Sequence, residues 1–232
     1  MKIHGLQKMT LLDYPGRVAC TVFLAGCDFA CPYCHNSELL SKNAPALMED
    51  EEFFKFLGTR KNLLEGVAIT GGEPCLNKEL PDFLRKIKDM GFPVKLDTNG
   101  NHPDMLRRVA EEGLLDYVAM DIKNSPERYA QTVGLSRLDL GKINASKDFL
   151  IDAGKKGLEY EFRTTVVKPL HDEESFKSIG PWIKGAGNYY LQNFTDRDTV
   201  VFAGLSEASE TELENFKNLV RPYVKCVEIR GL

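Results

Sequence analysis

The chain has 232 residues, 43% of them hydrophobic, enough to bury the core of one domain or at most two. Its 30 Lys and Arg against 34 Asp and Glu leave a formal charge of −4, and no long basic run points to nucleic acid as a partner. No apolar run reaches the ~18 residues a membrane span needs. The opening "MKIHGLQKMTLLDYPGR" has no apolar stretch of signal-peptide length, so the expectation is a cytoplasmic protein without a membrane partner.

The first predicted element is "VACTVFLAG" (18–26), a β-branched, apolar strand that stops at Gly26. A helix follows over 49–60, then the short strand "GVAITGG" (66–72). Over 78–91, Leu80, Phe83, Leu84 and Ile87 fall at helical spacing with Gly91 as the stop. "FPVKLDTNG" (92–100) is a strand entering a polar turn, and 103–113 is a helix with Pro103 in its first turn and Gly113 past its end. Strands follow at 115–123, 158–167, 188–194 and 225–231. Helices fall at 142–157, at 172–185 (interrupted by Pro181) and at 209–220. Strands alternating with helices predict parallel βα units, too few here for a complete eight-fold barrel. Two architectures remain, an open doubly wound sheet or an incomplete barrel. In both, chemistry gathers at the C-terminal ends of the strands.

The chemistry-bearing stretches sit at those ends. "CDFACPYC" follows the first strand, "TGGEP" the second, "DTNG" the third, and "MDIK" ends the fourth. Six cysteines in a protein of this class point to metal, redox chemistry or burial before disulfides. Cys27, Cys31 and Cys34 offer three thiolates. A closed zinc site wants four ligands, and His35, next to Cys34, is poorly placed to supply the fourth. A cubane cluster instead takes three thiolates and leaves its fourth iron open to a ligand that is not protein. Gly71 and Gly72 bare the backbone, and the Glu73 carboxylate can accept from an ammonium. Cys20, Cys75 and Cys226 read as small buried hydrophobes. His4, His102 and His171 show no partner pattern.

The spacing Cys27-x3-Cys31-x2-Cys34, with Tyr33 before the last cysteine, resembles the signature of the radical S-adenosylmethionine (SAM) superfamily. "GGEP" at 71–74 resembles that family's second motif. "CHN" at 34–36, "LDTNG" at 96–100 and "MDIK" at 120–123 resemble its glycyl-radical-enzyme activating branch. "DYPGR" at 13–17 and the closing "VEIRG" at 227–231 resemble the activases of anaerobic ribonucleoside-triphosphate reductase.

The resemblance implies a single domain over 1–232 with a partial (β/α)6 barrel. It implies one [4Fe–4S] cluster on Cys27, Cys31 and Cys34, and SAM on its open iron. Tyr33, Cys34 and His35 would lie along the cofactor. Gly71, Gly72, Glu73 and Pro74 would receive its methionine end. Asp97, Asn99, Asp121, Lys123 and Arg163 would complete the cofactor site, with Gln192 or Asn193 as a further contact. Asp97, Thr98 and Asp121 would also hold a monovalent cation. The implied reaction takes one electron from a low-potential donor such as flavodoxin or ferredoxin. It cleaves SAM reductively to a 5′-deoxyadenosyl radical and installs a glycyl radical on a protein partner, best matched by anaerobic ribonucleoside-triphosphate reductase. Pyruvate formate-lyase is the alternative partner. A small-molecule enzyme such as 7-carboxy-7-deazaguanine synthase is the rival activity, and a non-catalytic zinc or cluster module the rival class.

Overall fold

The β-branched, apolar runs form strands and the amphipathic runs between them form helices, in a computed structural model that describes residues 1–200 and 202–231. The strands are β1 (Lys2–Ile3), β2 (Gly5–Thr10), β3 (Ala19–Leu24), β4 (Met48–Glu49), β5 (Gly66–Gly71), β6 (Val94–Thr98), β7 (Tyr117–Asp121), β8 (Glu159–Val166), β9 (Asn188–Asn193) and β10 (Cys226–Arg230). The helices are α1 (Asp50–Gly58), α2 (Leu80–Asp89), α3 (Pro103–Glu111), α4 (Tyr129–Thr132), α5 (Leu140–Lys155), α6 (Glu173–Trp182) and α7 (Glu210–Val220). The chain forms two compact units, one of Met1–Asp28 and Glu38–Val118, the other of Phe29–Ser37 and the chain from Ala119 onward.

In the first unit β3 pairs antiparallel with β2 and parallel with β5, and β5 pairs parallel with β6. Ala19, Cys20, Val22 and Leu24 of β3 are buried, as are Val67, Ala68 and Ile69 of β5. Such unbroken burial is what a parallel strand covered on both faces requires. α2 turns Leu80, Phe83, Leu84 and Ile87 inward, as their spacing predicts, and Phe83 meets Phe53 of α1 with ring centroids 5.5 Å apart. Because the parallel strands run one way, their C-terminal ends share an edge, where Leu24 pairs with Gly71.

β7 carries the chain from one unit to the other. Just before it, Asp116 N donates to Val94 O, and just after it Ile122 N donates to Arg163 O. In the second unit β8, β9 and β10 are all parallel, with Arg163 opposite Tyr190 and Arg230 opposite Gln192. Phe176 of α6 stacks on Phe216 of α7 at 4.4 Å. Pro181 lies inside α6 only one residue before its end, so the helix lacks one donor and stops at Trp182 without breaking earlier.

Four short elements lie outside the predicted set. β1 and β4 form a two-stranded antiparallel ribbon, β2 lies along β3 with Gln7, Lys8 and Met9 exposed, and α4 is a single turn. Among the described residues no helix is long and apolar enough to cross a membrane.

Candidate cofactor site

In the first unit the strand ends are locked by backbone contacts that only glycine permits. Gly71 has φ +117°, and a Cβ there would strike the Leu24 backbone. A Cβ on Gly72 would strike the Gly26 carbonyl. The two glycines let Gly72 N donate to Leu24 O and Glu73 N to Gly26 O, each at 2.7 Å. "GGEP" is thereby fastened to the start of the cysteine loop.

Glu73 has no exposed surface, yet its carboxylate is fully engaged. Oε1 accepts from Cys75 N at 2.9 Å and from Thr98 Oγ1 at 2.8 Å, and Oε2 accepts from Asn99 N at 2.6 Å. Burial pushes its pKa up, and the bonds from Asn99, Cys75 and Thr98 pull against that. Where the sequence suggests an acceptor for a ligand ammonium, the structure shows a buried tie between the "GGEP" and "DTNG" loops. Thr98 Oγ1 also accepts from Gly100 N. Asp97 is ion-paired with the buried Lys95, a residue the sequence did not mark.

The first cysteine has its own network. Asp28, beside Cys27, accepts from Asn99 Nδ2 at 2.9 Å, Asn101 Nδ2 at 2.5 Å and His102 Nε2 at 2.9 Å. Burial would raise its pKa, but these three donors hold it well below the usual carboxylate range. His102, without a partner pattern in the sequence, therefore gains a carboxylate. His4 likewise gains one bond, accepting from Ala25 N.

In the second unit Cys34 N donates to Cys31 O, and Ala30 N donates to Val133 O. Gly134 lies so close to Ala30 that a Cβ would strike its carbonyl. Tyr33 is buried beside Val167 and Phe194, with Cys31 packed against them. The Lys123 ammonium lies 5.9 Å from the Tyr33 ring centroid. Asp121 is gripped on both oxygens, by Arg163 Nε at 2.6 Å and Lys123 Nζ at 2.8 Å. Against the cost of burial, Arg163 and Lys123 hold its pKa well below the usual range. Asp121 thus lies between two cations.

His35 stacks on Phe194 at 5.6 Å, and its Nε2 bonds to Thr195 O at 2.8 Å. The structure thus uses it as a strut for the segment after β9. Both ends of the Asn193 amide bond to Ala208. Gln192 alternates to the other face, the one shared by Arg163 and Tyr190 through their register, so of the two it is the candidate for a ligand contact.

The donor set fits the cluster that the resemblance implies. None of the six cysteines forms a disulfide, and Cys27, Cys31 and Cys34 are only part-buried while Cys20 and Cys75 are buried. Burial pushes the Cys31 thiol up to about 11 against the pull of Lys123, a cost that metal binding reverses by displacing the proton. The Tyr33 hydroxyl is buried without a hydrogen-bond partner among the described residues, as expected beside a site built for a ligand. No three His, Cys, Asp or Glu side chains among the described residues converge on a single metal ion. A cubane distributes its thiolates over separate irons and does not need such convergence.

The model of the Radical SAM superfamily matches residues 21–179. The chain belongs to the radical SAM superfamily. A protein of Methanocaldococcus jannaschii with the provisional name glycyl-radical enzyme activating enzyme is 33% identical over 99% of this chain and 96% of its own length. The pyruvate formate-lyase-activating enzyme of Clostridium pasteurianum is 29% identical over 81% of this chain and 78% of its own. A 7-carboxy-7-deazaguanine synthase of Thermococcus kodakarensis is 30% identical over 47% of this chain and 50% of its own. Among solved structures, Streptococcus suis SuiB bound to S-adenosylmethionine superposes with a TM-score of 0.68 at 11% identity, covering 91% of this chain and 52% of SuiB. The chain spans about half the length of that structure. The α/β fold of parallel strands is thus the partial-barrel fold of radical SAM proteins, and this radical SAM enzyme is a homologue of the glycyl-radical-enzyme activases. Membership implies a [4Fe–4S] cluster and SAM as cofactors.

Proposed function

We propose that this radical SAM enzyme installs a glycyl radical on a partner protein, and that the partner is anaerobic ribonucleoside-triphosphate reductase. The reading rests above all on the end-to-end match to a glycyl-radical enzyme activating enzyme, against about half the chain for the deazaguanine synthase. "DYPGR" and "VEIRG" favour the reductase among partners, since they resemble the reductase activases. The Clostridium pasteurianum relative favours pyruvate formate-lyase as a second reading.

When bound, the cluster and SAM supply reductive cleavage of the sulfonium bond and hydrogen-atom abstraction. The chain, acting as one domain over 1–232, supplies ligands, orientation and exclusion of water. Cys27, Cys31 and Cys34 hold the cluster. Lys123 and Arg163, the two cations beside Asp121, receive the cofactor carboxylate. Tyr33 offers its ring and its unpartnered hydroxyl. Gly71 and Gly72 present backbone, while Glu73 holds the loop that carries Thr98 and Asn99. Flavodoxin or ferredoxin supplies the electron.

The test is anaerobic electron paramagnetic resonance of the reductase after incubation with this protein, SAM and a low-potential reductant. A glycyl radical on the reductase supports the reading. A radical only on pyruvate formate-lyase moves the assignment to the second reading, and none on either sinks both.

A further inference from the structure

We infer that Asn99 is a positioning residue for the electron-transfer step, aimed at the sulfur of Cys27 so as to raise the reduction potential of the cluster. The inference rests on the cluster assignment above. Asn99 follows β6, and its side-chain Nδ2 lies 3.9 Å from Cys27 Sγ, at the long end of N–H···S contact. Its orientation is set by the neighbours. Asn99 Oδ1 accepts from Asn101 N at 2.9 Å, and Asn99 Nδ2 donates to Asp28 Oδ1 at 2.9 Å. A flipped amide would set its oxygen against the Asp28 carboxylate and its NH2 against a backbone donor, losing both bonds. Of the two amide hydrogens one is held by Asp28, which leaves the other for Cys27.

The support continues outward. Asn99 N donates to the buried Glu73, so the backbone is held as firmly as the amide. Asp28 is itself fixed by Asn101 and His102. A group with no task would not need three layers of bonding to fix one N–H.

The physical consequence has a definite sign. Reduction adds one negative charge to the cluster and its thiolates. An N–H dipole aimed at a ligating sulfur stabilises that charge, and hydrogen bonds to sulfur are among the determinants of cluster potential. The nearby Asp28 carboxylate acts the other way, so the amide also screens Cys27 from an anion two bonds of the network away. Removing the amide should make the cluster harder to reduce.

The experiment uses full-length protein reconstituted anaerobically with iron and sulfide, without SAM, so that any contact of Asn99 with the cofactor does not enter. Iron content is measured first, then the midpoint potential by titration followed with electron paramagnetic resonance. Asn99→Leu should bind as much iron as wild type and show a midpoint shifted to more negative potential. Asn99→Ser, small and polar, is the second variant and should shift the same way. An unchanged midpoint in an iron-replete variant overturns the inference. If neither variant assembles a cluster, the reduced wild-type protein grown with isotope-labelled asparagine decides. Coupling of the cluster spin to an asparagine nitrogen supports the inference, and its absence overturns it. A wild-type protein that takes up no iron would instead overturn the cluster assignment.

Discussion

A carboxylate with no exposed surface and three protein donors is a structural element before it is a ligand, and Glu73 is such a group. Replacing it with glutamine turns one acceptor into a donor facing other donors. Each buried group left unsatisfied costs about 1–3 kcal/mol. Glu73→Gln should therefore lower the unfolding free energy by about 2–3 kcal/mol, read as a drop in the urea midpoint. A variant as stable as wild type but weakened only in SAM binding would favour the sequence's reading of Glu73 as a ligand acceptor. The cysteines divide in the same manner. Cys75 is buried beside Glu73 and lies outside the Cys27–Cys34 loop, so it should not ligate metal. Cys75→Ala should keep its iron, whereas Cys31→Ala should lose the cluster, as measured by bound iron and sulfide. The cysteine loop, "GGEP" and "MDIK" were legible because chemistry-bearing residues stand close together in sequence. Asp28 and His102 were not. They lie 74 positions apart, and no local spacing announces a bond that the fold alone creates.

Elements with strong periodicity were read within a residue or two of their ends. The α2 stripe and the apolar runs of β3 and β5 are examples, because burial dictates both their composition and their shape. β2 escaped because it is an edge strand with one polar, exposed stretch, and α4 because one turn carries no period. Ser209 accepts from Glu212 N, and Glu212 returns the bond to Ser209 N, a capping box at the start of α7. Ser209→Ala should cost about 1 kcal/mol in denaturant unfolding. After β8, His171 shows what pattern reading misses. Its Nδ1 accepts from Val167 N and its Nε2 bonds to Lys123 O, which assigns the neutral ring with its proton on Nε2. Burial lowers its pKa, with Arg128 acting in the same direction, while the Lys123 and Val167 carbonyls and the charge of Asp172 oppose the shift. The unfolded chain takes up this proton near pH ~6.5 and the folded chain only below that. Stability from this group is whole above about pH 6.5 and falls as pH drops beneath it towards the folded value. Urea midpoints should fall between about pH 7.5 and pH 5.5, and His171→Asn should flatten that slope. An unchanged slope in the variant would remove His171 from the account.

At the scale of the whole chain the question is what meets the reactive carbon. A small-molecule enzyme turns over freely once substrate is present, because its site encloses the hydrogen donor. An activase differs, since its donor is a backbone glycine on another protein, and the reaction must wait until that glycine has displaced water. The function proposed above, supported by the end-to-end likeness to a glycyl-radical enzyme activating enzyme, belongs to the second class. In the second unit Asp121 is ion-paired with both Lys123 and Arg163. The protein reduced with SAM alone should therefore release 5′-deoxyadenosine slowly. With the reductase present, release should rise and settle near one 5′-deoxyadenosine per glycyl radical, because cleavage and hydrogen abstraction are coupled in the cofactor's chemistry. Quantifying the nucleoside and the radical signal in one sample checks this. Many turnovers on a purine with no radical on either candidate partner would place the chain with the deazaguanine synthase instead, and the half-length match to that enzyme would then be the informative one.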